Sequence, residues 1–177
     1  MMYCAFLRGV NVNGRTMKMA EACEVFRASG MEQVISILAT GNIVFQSQTE
    51  RSKLRNILEA ALGGYFQMES NLFIKDADEI KEMLAAAPYA SDPEWHIYAF
   101  ICDPGFEQVL VKEFESAGQD RQSDESAAVN GGYFFWRVRK GRTLDTPFAK
   151  ILGSRKFKDK FTSRNISTIE KVYNKMK

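Results

Sequence analysis

The residues from Gly9 to Thr16 have the types and spacing that most suggest chemistry in this chain. They read Gly-Val-Asn-Val-Asn-Gly-Arg-Thr and follow the apolar run Tyr3–Leu7 after a single arginine. A Gly- and Asn-rich loop that joins a strand to a helix points backbone N–H groups at the space above it, and many proteins hold anions in this way. The sequence therefore predicts an anion-binding loop here, without naming a reaction.

The same loop is similar to the P-loop of nucleotide hydrolases. Its spacing, G-x-x-x-x-G-R-T, places Arg15 where such loops carry Lys, and Asp103 follows an apolar run as a magnesium-binding acidic residue would. Arginine does not simply replace the compact ammonium group of Lys. A short hairpin expected at residues 39–42 also breaks the parallel strand–helix–strand context that a P-loop needs. A polar loop without nucleotide hydrolysis is therefore the favoured interpretation.

Two other segments could contact a ligand. Residues 133–140 read Tyr-Phe-Phe-Trp-Arg-Val-Arg-Lys, and aromatic residues that run into cations suit single-stranded nucleic acid. A hairpin strand with one buried face explains the same pattern and is favoured. Residues 162–165, Thr-Ser-Arg-Asn, are predicted to open the last helix, where such side chains suit an anion.

Charge is distributed unevenly along the chain. Residues 1–136 carry 11 Lys and Arg against 19 Asp and Glu, whereas residues 137–177 carry 13 against three. A basic segment attracts phosphates or acidic partners. The alternative, which stays open, is a solvated basic face that docks on the acidic remainder.

Composition and cysteine use exclude several classes of protein. With 45% apolar and 26% charged residues, the chain has the composition of an ordinary globular protein. Arg8 interrupts the first apolar run, which is too short for a signal peptide or a membrane span. Cys4, Cys23 and Cys102 form no C-x-x-C pair and fit packed thiols in the cytoplasm. With a single histidine, His96, and no C-x-x-C pair, the sequence contains no metal-ligand motif, so we expect no metal and no cofactor.

Apolar periodicity predicts the elements that position these residues. The first half has the order β-α-β-β-α-β, with strands near residues 2–8, 33–38, 42–47 and 68–75 and helices at 17–29 and 51–62. The second half repeats this order of types in part, with strands at 95–102, 126–129 and 133–138 and helices at 106–117 and 166–176. We predict an α+β protein of two ferredoxin-like subdomains, residues 1–90 and 91–177, with antiparallel-containing sheets and helices on one face.

The predicted strand order brings two loops together. The first and second strands run in the same direction, so the loop after strand one and the hairpin turn lie at one end of the sheet. The first and third strands are neighbours in the usual order, so the two loops should touch. The ligand-binding residues expected at this end are Arg8, Asn11, Asn13, Gly14, Lys18, Thr40, Gly41 and Asn42. Arg164 and Asn165 join them only if the second subdomain folds back over this end.

Three ordered motifs carry a family resemblance. They are residues 7–14 with 18–19, residues 39–45, and residues 162–165 with Thr168 and Lys171. They resemble the bacterial family known as domain of unknown function 1697, in which the motifs usually read R-G-I-N-V-G-G, S-G-N-V-V-F and T-R-N-W-x-T. The chain departs from these motifs at Asn13, Thr40, Ser163 and Ile166. The resemblance implies a two-part α+β fold in a bacterial cytosolic protein, and it implies no activity.

The residues favour a cytosolic protein that binds an anion, either nucleic acid or a phosphorylated small molecule. One alternative is an enzyme that acts on a phosphorylated metabolite or nucleotide, with Arg8, Lys18 and Arg164 stabilising charge. A second alternative is a protein-interaction module whose basic last segment docks on an acidic protein.

Overall fold

The computed structural model describes residues 1–12, 14–117, 124–157 and 159–177, with side chains at all of these except 11, 12, 15 and 155. The chain divides into two compact units. Unit 1 comprises residues 1–81 with 170–177, and unit 2 comprises residues 82–169. The domain boundary expected near residue 90 stays a prediction, because compactness does not show which segment folds by itself.

Unit 1 is built on a four-stranded sheet. Its elements in chain order are β1 (Met2–Arg8), β2 (Asn11–Val12), β3 (Arg15–Thr16), α1 (Met19–Ala28), β4 (Glu32–Ser36), β5 (Asn42–Gln46), α2 (Arg51–Phe66), β6 (Asn71–Asp76) and α3 (Ala77–Ala85), whose end belongs to unit 2. The sheet order is β4-β5-β1-β6, and each neighbouring pair is antiparallel. Helices α1 and α2 pack against one face of this sheet. The β-α-β-β-α-β order predicted for the first half is confirmed.

Unit 2 has a second four-stranded sheet. Its elements are β7 (Trp95–Cys102), α4 (Phe106–Ser116), β8 (Glu125–Asn130), β9 (Tyr133–Arg139), α5 (Pro147–Leu152), a 3-10 turn (Arg155–Phe157), β10 (Phe161–Asn165) and α6 (Ile166–Met176), whose end belongs to unit 1. The sheet order is β10-β7-β9-β8, again with antiparallel pairs. Counted within each four-stranded sheet, the strands of both units follow the order four, one, three, two, so the first strand lies between the third and the fourth. The predicted α+β class with two antiparallel sheets is confirmed.

The central strand β1 is buried along its length. Tyr3, Ala5 and Leu7 lie in the core that α1 and α2 cover. Cys4 and Phe6 project from the opposite face, and both are fully buried. A strand that is apolar on both faces must lie in the middle of its sheet, which is what its unbroken apolar sequence predicts.

Helix α2 is longer than the sequence predicts. The pair Gly63-Gly64 is expected to end it, but the helix continues to Phe66. Its buried face carries three leucines, Leu54, Leu58 and Leu62. Burial of this stripe outweighs the cost of about 1 kcal/mol for each helical glycine. The helix ends at Gln67, which has a left-handed backbone, and β6 consequently begins at Asn71 rather than near residue 68.

The prediction for residues 162–165 is wrong in its secondary structure. Thr162 and Ser163 do not cap the last helix, because they lie in β10 and pair with Ile101 and Phe100 of β7. Asn165 takes the capping role, since its Oδ1 accepts a hydrogen bond from the Ser167 N–H at 3.0 Å. The strand is short and mostly polar, so its apolar periodicity is too weak to detect.

The loop after β1 also differs from its predicted form. It contains a small hairpin, in which Asn11 pairs with Thr16 and Val12 with Arg15. Helix α1 begins only at Met19, so the loop does not lead directly into the helix as a phosphate-binding strand–loop–helix unit would.

The start of α3 is fixed by a capping box. The Glu79 N–H donates to Asp76 Oδ1 at 2.9 Å, and the Asp76 N–H donates to Glu79 Oε2 at 3.0 Å. Glu79 also pairs with Arg51 Nη1 at 2.8 Å and Lys75 Nζ at 2.9 Å. Burial raises the pKa of the Glu79 carboxyl, but hydrogen bonds from Arg51, Lys75 and the Asp76 N–H outweigh it, so the pKa lies below its ordinary value.

This network predicts acid sensitivity. A carboxyl group with a lowered pKa in the folded state contributes stability above its unfolded value of about 4.3, and that stability is lost as the pH falls through the folded value. We expect the free energy of unfolding of the wild type to fall more steeply below about pH 4.3 than that of Glu79→Gln. Urea unfolding at pH 7, 5, 4 and 3 measures this. The exposed Asp78→Asn is the control, and a Glu79→Gln profile equal to the wild type would contradict the prediction.

Candidate functional site

The end of β1 lies against the turn between β4 and β5. The Leu7 N–H donates to the Gly41 carbonyl oxygen at 2.7 Å, and Phe6 pairs with Asn42 across the sheet. The Met17 N–H donates to the Val10 carbonyl at 2.8 Å. This bond joins the residue before β2 to the residue after β3 and so closes the open end of the small hairpin. We call residues 8–10, 14–18 and 40–42 the unit 1 rim. The two loops meet, as the strand order predicts.

Gly41 is the tightest point of the unit 1 rim. Its φ of +78° lies in the left-handed region that glycine favours. A Cβ placed there would lie 2.7 Å from Val10 Cγ2 and 3.1 Å from Leu7 Cβ. Only glycine allows the loop after β1 to lie this close to the turn, which gives Gly41 a packing role.

Asn42 is a structural residue of the turn. It is fully buried, and its Nδ2 donates to the Ile37 carbonyl and to Thr40 Oγ1, both at 2.9 Å. Both amide protons are therefore used within the turn. Thr40 is exposed and accepts through its oxygen, so its hydroxyl proton can still be donated outward.

Arg8 and Lys18 supply positive charge to the unit 1 rim. Arg8 is half-buried at the end of β1, where it pairs in register with Asn71 of β6. The Lys18 side chain is 75% exposed and lies 3.5 Å from Glu21 Oε1. Lys18 is also the N-cap residue of α1, and it makes no side-chain capping hydrogen bond to that helix. Exposed pairs such as Lys18–Glu21 are worth about 0–1 kcal/mol and leave the ammonium group accessible.

The remaining residues predicted for this end are described only in part. Gly14 is exposed and has a φ of +77° at the turn of the small hairpin. The backbone of Asn11 lies in β2, and Asn13 falls outside the described residues. The sequence does not predict Asn71 here, because apolar periodicity does not give the pairing register that places it beside Arg8.

Arg164 and Asn165 belong to unit 2. Arg164 lies in β10, and its Nη1 donates to Thr162 Oγ1 at 2.6 Å and to the Ser163 carbonyl at 2.8 Å. Asn165 Nδ2 lies 3.2 Å from His96 Nδ1. Arg164 therefore contacts residues of its own strand and Asn165 contacts a histidine of β7, on a strand and a helix cap rather than at the open helix N-terminus that the sequence predicts.

The P-loop and base-stacking interpretations lack structural support. Both four-stranded sheets are antiparallel, so neither contains the parallel strand–helix–strand context of a P-loop. Phe134, Phe135 and Trp136 are each no more than 4% exposed, and the Trp136 indole donates to Glu125 Oε2. Rings buried in this way are not available to stack on bases.

The charge asymmetry of the sequence disappears in the folded units. Residues 82–169 contain 12 Lys and Arg and 12 Asp and Glu, so unit 2 is formally neutral. Arg137 pairs with Asp92 and Arg139 with Asp124, both at 3.1 Å. Basic residues after position 136 therefore lie beside acidic residues from earlier in the chain. This arrangement favours the second interpretation of the basic segment, a basic face docked on acidic neighbours.

Metal-binding clusters and membrane-spanning helices are both absent from the described part of the chain. Within residues 1–12, 14–117, 124–157 and 159–177, no cluster of three or more His, Cys, Asp or Glu side chains could hold a metal ion. Over the same residues, no helix combines the length and the apolar character that crossing a membrane requires.

Comparisons with known proteins agree with the fold. The family model described as "Protein of unknown function (DUF1697)" matches residues 1–135, which include the first two motifs. The solved structure of the conserved bacterial protein SP0830 from Streptococcus pneumoniae has a TM-score of 0.78 and 23% identity, and the match covers 99% of this chain and 98% of that one. At this identity the likeness shows the fold alone. No curated protein matches the chain.

The close contact at Gly41 gives a test with a matched control. Gly41→Ala and Gly14→Ala both place a side chain at positive φ, which costs about 1–2 kcal/mol. Only Gly41→Ala adds overpacking against Val10 and Leu7, since a Cβ on Gly14 would have nothing within 4 Å. Overpacking costs about 1–3 kcal/mol more. We therefore expect Gly41→Ala to lower the free energy of unfolding more than Gly14→Ala in urea titrations. Equal losses would show that the contact is not tight.

Proposed function

Because the chain belongs to the family described as a protein of unknown function, DUF1697, we propose a function from its own residues: the unit 1 rim binds the phosphate group of a small phosphorylated molecule. The observation that carries this proposal is the half-buried Arg8 where the buried strand β1 ends, beside the Thr40–Gly41 turn. A planar guanidinium group suits the oxygens of a phosphate, which it can bind through two hydrogen bonds.

The start of α1 supports the same proposal. Met17 is bonded to Val10, and Val10 abuts Gly41, so the first turn of α1 lies next to the unit 1 rim. The N-terminal N–H groups of a helix and its dipole attract negative charge. Lys18 leaves these groups without a side-chain cap and adds an exposed ammonium group. Glu21 offsets part of this charge, but it does so through a weak, exposed pair.

The energies set the expected affinity range. A hydrogen bond to a charged group is worth about 1.5–3 kcal/mol, and a helix N-terminus adds about 0.3–1 kcal/mol. Three such contacts with the helix term give at most about 10 kcal/mol, and association costs about 4 kcal/mol or more, so we expect a dissociation constant of about 40 μM or weaker. This range suits a metabolite better than a tightly held prosthetic group.

A small molecule fits the charges better than nucleic acid does. Nucleic-acid binding draws its strength from many cations that each replace a counterion. Unit 2 is formally neutral, and ion pairs hold Arg137 and Arg139 beside acidic groups. A local site with a few donors, such as the unit 1 rim, needs no extended basic surface.

The proposal includes a cytosolic location. Cys4, Cys23 and Cys102 are thiols rather than disulfides. Cys4 and Cys23 are buried, and burial raises the pKa of the Cys23 thiol, which keeps it protonated and unreactive. Packed thiols of this kind are typical of a reducing compartment.

Replacing Arg8 tests the proposal directly. Arg8→Lys keeps the charge but removes the bidentate fork, so we expect inorganic phosphate to bind at least about tenfold more weakly. Binding is measured by NMR titration, following the backbone amides of Val10 and Ala20. We expect the melting temperature to stay nearly unchanged, because Arg8 is only half-buried.

Arg142→Lys is the matched control, since Arg142 is an exposed arginine of unit 2 whose ion pair with Asp124 spans 3.7 Å. It should leave phosphate binding unchanged. If Arg8→Lys binds phosphate as the wild type does, the proposed site is wrong. If it instead lowers the free energy of unfolding by about 3 kcal/mol or more, Arg8 is a structural residue.

A salt series separates a small phosphate from nucleic acid. If the basic segment bound single-stranded RNA by charge, log affinity would fall with log salt at a slope of about 0.7 per neutralised phosphate. We expect a short single-stranded RNA to bind no more tightly than its terminal phosphate alone and to show a slope of about one. Fluorescence anisotropy between about 50 and 200 mM salt measures this, and a slope of about four or more would favour the nucleic-acid alternative.

A further inference from the structure

We propose that His96 and Asn165 form a pH-sensitive cap at the start of α6, which opens when the imidazole takes up a second proton. The residues involved, His96, Asn165 and Ser167, all lie in unit 2. The proposal is independent of the phosphate site, because it concerns the other unit.

The cap fixes which way the Asn165 amide faces. Its Oδ1 accepts hydrogen bonds from the Ser167 N–H at 3.0 Å and from Ser167 Oγ at 2.9 Å. The amide nitrogen of Asn165 must therefore face His96, where it lies 3.2 Å from Nδ1. A primary amide nitrogen only donates hydrogen bonds, so Nδ1 must be the acceptor.

This geometry selects one form of the ring. With Nδ1 as an acceptor, His96 is neutral and carries its proton on Nε2. Imidazolium has a proton on both nitrogens, and protonated Nδ1 would face the N–H groups of Asn165. Either the Asn165 amide rotates and releases the Ser167 N–H, or the ring leaves Asn165. In both cases the hydrogen-bonded chain from His96 to the first turn of α6 is broken.

The surroundings of His96 leave Asn165 as its main polar partner. On the same strand the Tyr98 ring lies 5.9 Å away, and the neighbouring residue on β9 is the buried Val138. Glu125 follows Val138 on the same face, and its carboxylate accepts from Trp136 Nε1 and from the Phe148 N–H. Arg137 and Arg139 flank Val138 in sequence, and strand alternation directs them to the other face. Within the described residues, no carboxylate pairs with the imidazole.

The sign of the pH effect follows from the hydrogen bond. Protonation costs the folded state its Asn165–His96 bond and costs the unfolded chain nothing. The cap therefore opens, and we expect the free energy of unfolding to fall, as the pH drops through the range in which imidazole groups are protonated, about pH 8 to 5. His96 is the single histidine of the chain, and comparison with a variant that lacks it separates its contribution from that of the terminal amino group, which also titrates in this range.

A pH titration of the wild type, followed by NMR, tests the proposed cap without any substitution. We expect the Ser167 amide resonance to shift with the same midpoint as the His96 ring protons. The Ala149 amide is the matched control, because Thr146 Oγ1 caps it at 3.3 Å in α5 without any histidine. A Ser167 resonance that stays still while His96 titrates would overturn the proposal.

Two variants test the direction in which the stability changes with pH. Gln at position 96 cannot be protonated in this range. The free energy of unfolding of His96→Gln, measured by urea titration, should therefore fall less between about pH 8 and pH 5 than that of the wild type. Asn165→Asp keeps an oxygen for the Ser167 N–H and turns a second oxygen toward the ring, which a protonated Nδ1 can then donate to. Its stability should rise as the pH falls over the same range, relative to the double variant with His96→Gln. Equal pH profiles for wild type and His96→Gln, or an Asn165→Asp profile without reversal, would refute the cap.

Discussion

The pairing of β1 on both of its edges is the constraint on which unit 1 depends. With β5 on one side and β6 on the other, and apolar side chains on both faces, β1 buries all of its residues from 3 to 7 in the observed register. A shift of one residue would exchange the two faces. The register fixes where β1 leaves the sheet, and therefore where Arg8 lies relative to the Gly41 turn. The candidate site is thus a consequence of how the core is packed.

The outer edge of β6 is closed by side chains from α2 rather than by another strand. Glu59 Oε1 accepts from the Leu72 N–H, and Arg51 Nη2 donates to the Ile74 carbonyl, each at 3.0 Å. Unpaired edge groups invite pairing with other chains, so these contacts protect the sheet. Arg51 also pairs with Glu79, which links the edge to the capping box of α3. One arginine therefore stabilises the strand edge and the helix start together.

The sequence predicts the elements whose apolar periodicity is strong and misses those that depend on tertiary contacts. It predicts β7 at its observed bounds, since this strand is long and mostly apolar. It misses the end of α2 because a buried leucine stripe outweighs two glycines, and it misses β10 because pairing with β7 leaves little trace in a polar sequence. At the unit 1 rim, the meeting of the loops follows from strand order. The burial of Asn42 does not, because side-chain hydrogen bonds within a turn have no periodic signal.

The two units place their first strand between two others but differ where that strand ends. In unit 2, β7 is followed by Asp103, and the Glu107 carboxylate accepts from the Gly105 N–H at the start of α4, at 2.8 Å. Negative charge therefore already occupies the start of that helix. In unit 1 the corresponding strand ends at Arg8, and the first turn of α1 carries Glu21 beside the exposed Lys18. Similar topology thus places an acidic residue after the first strand of unit 2 and a basic residue at the end of the first strand of unit 1, which is why the phosphate proposal is limited to unit 1.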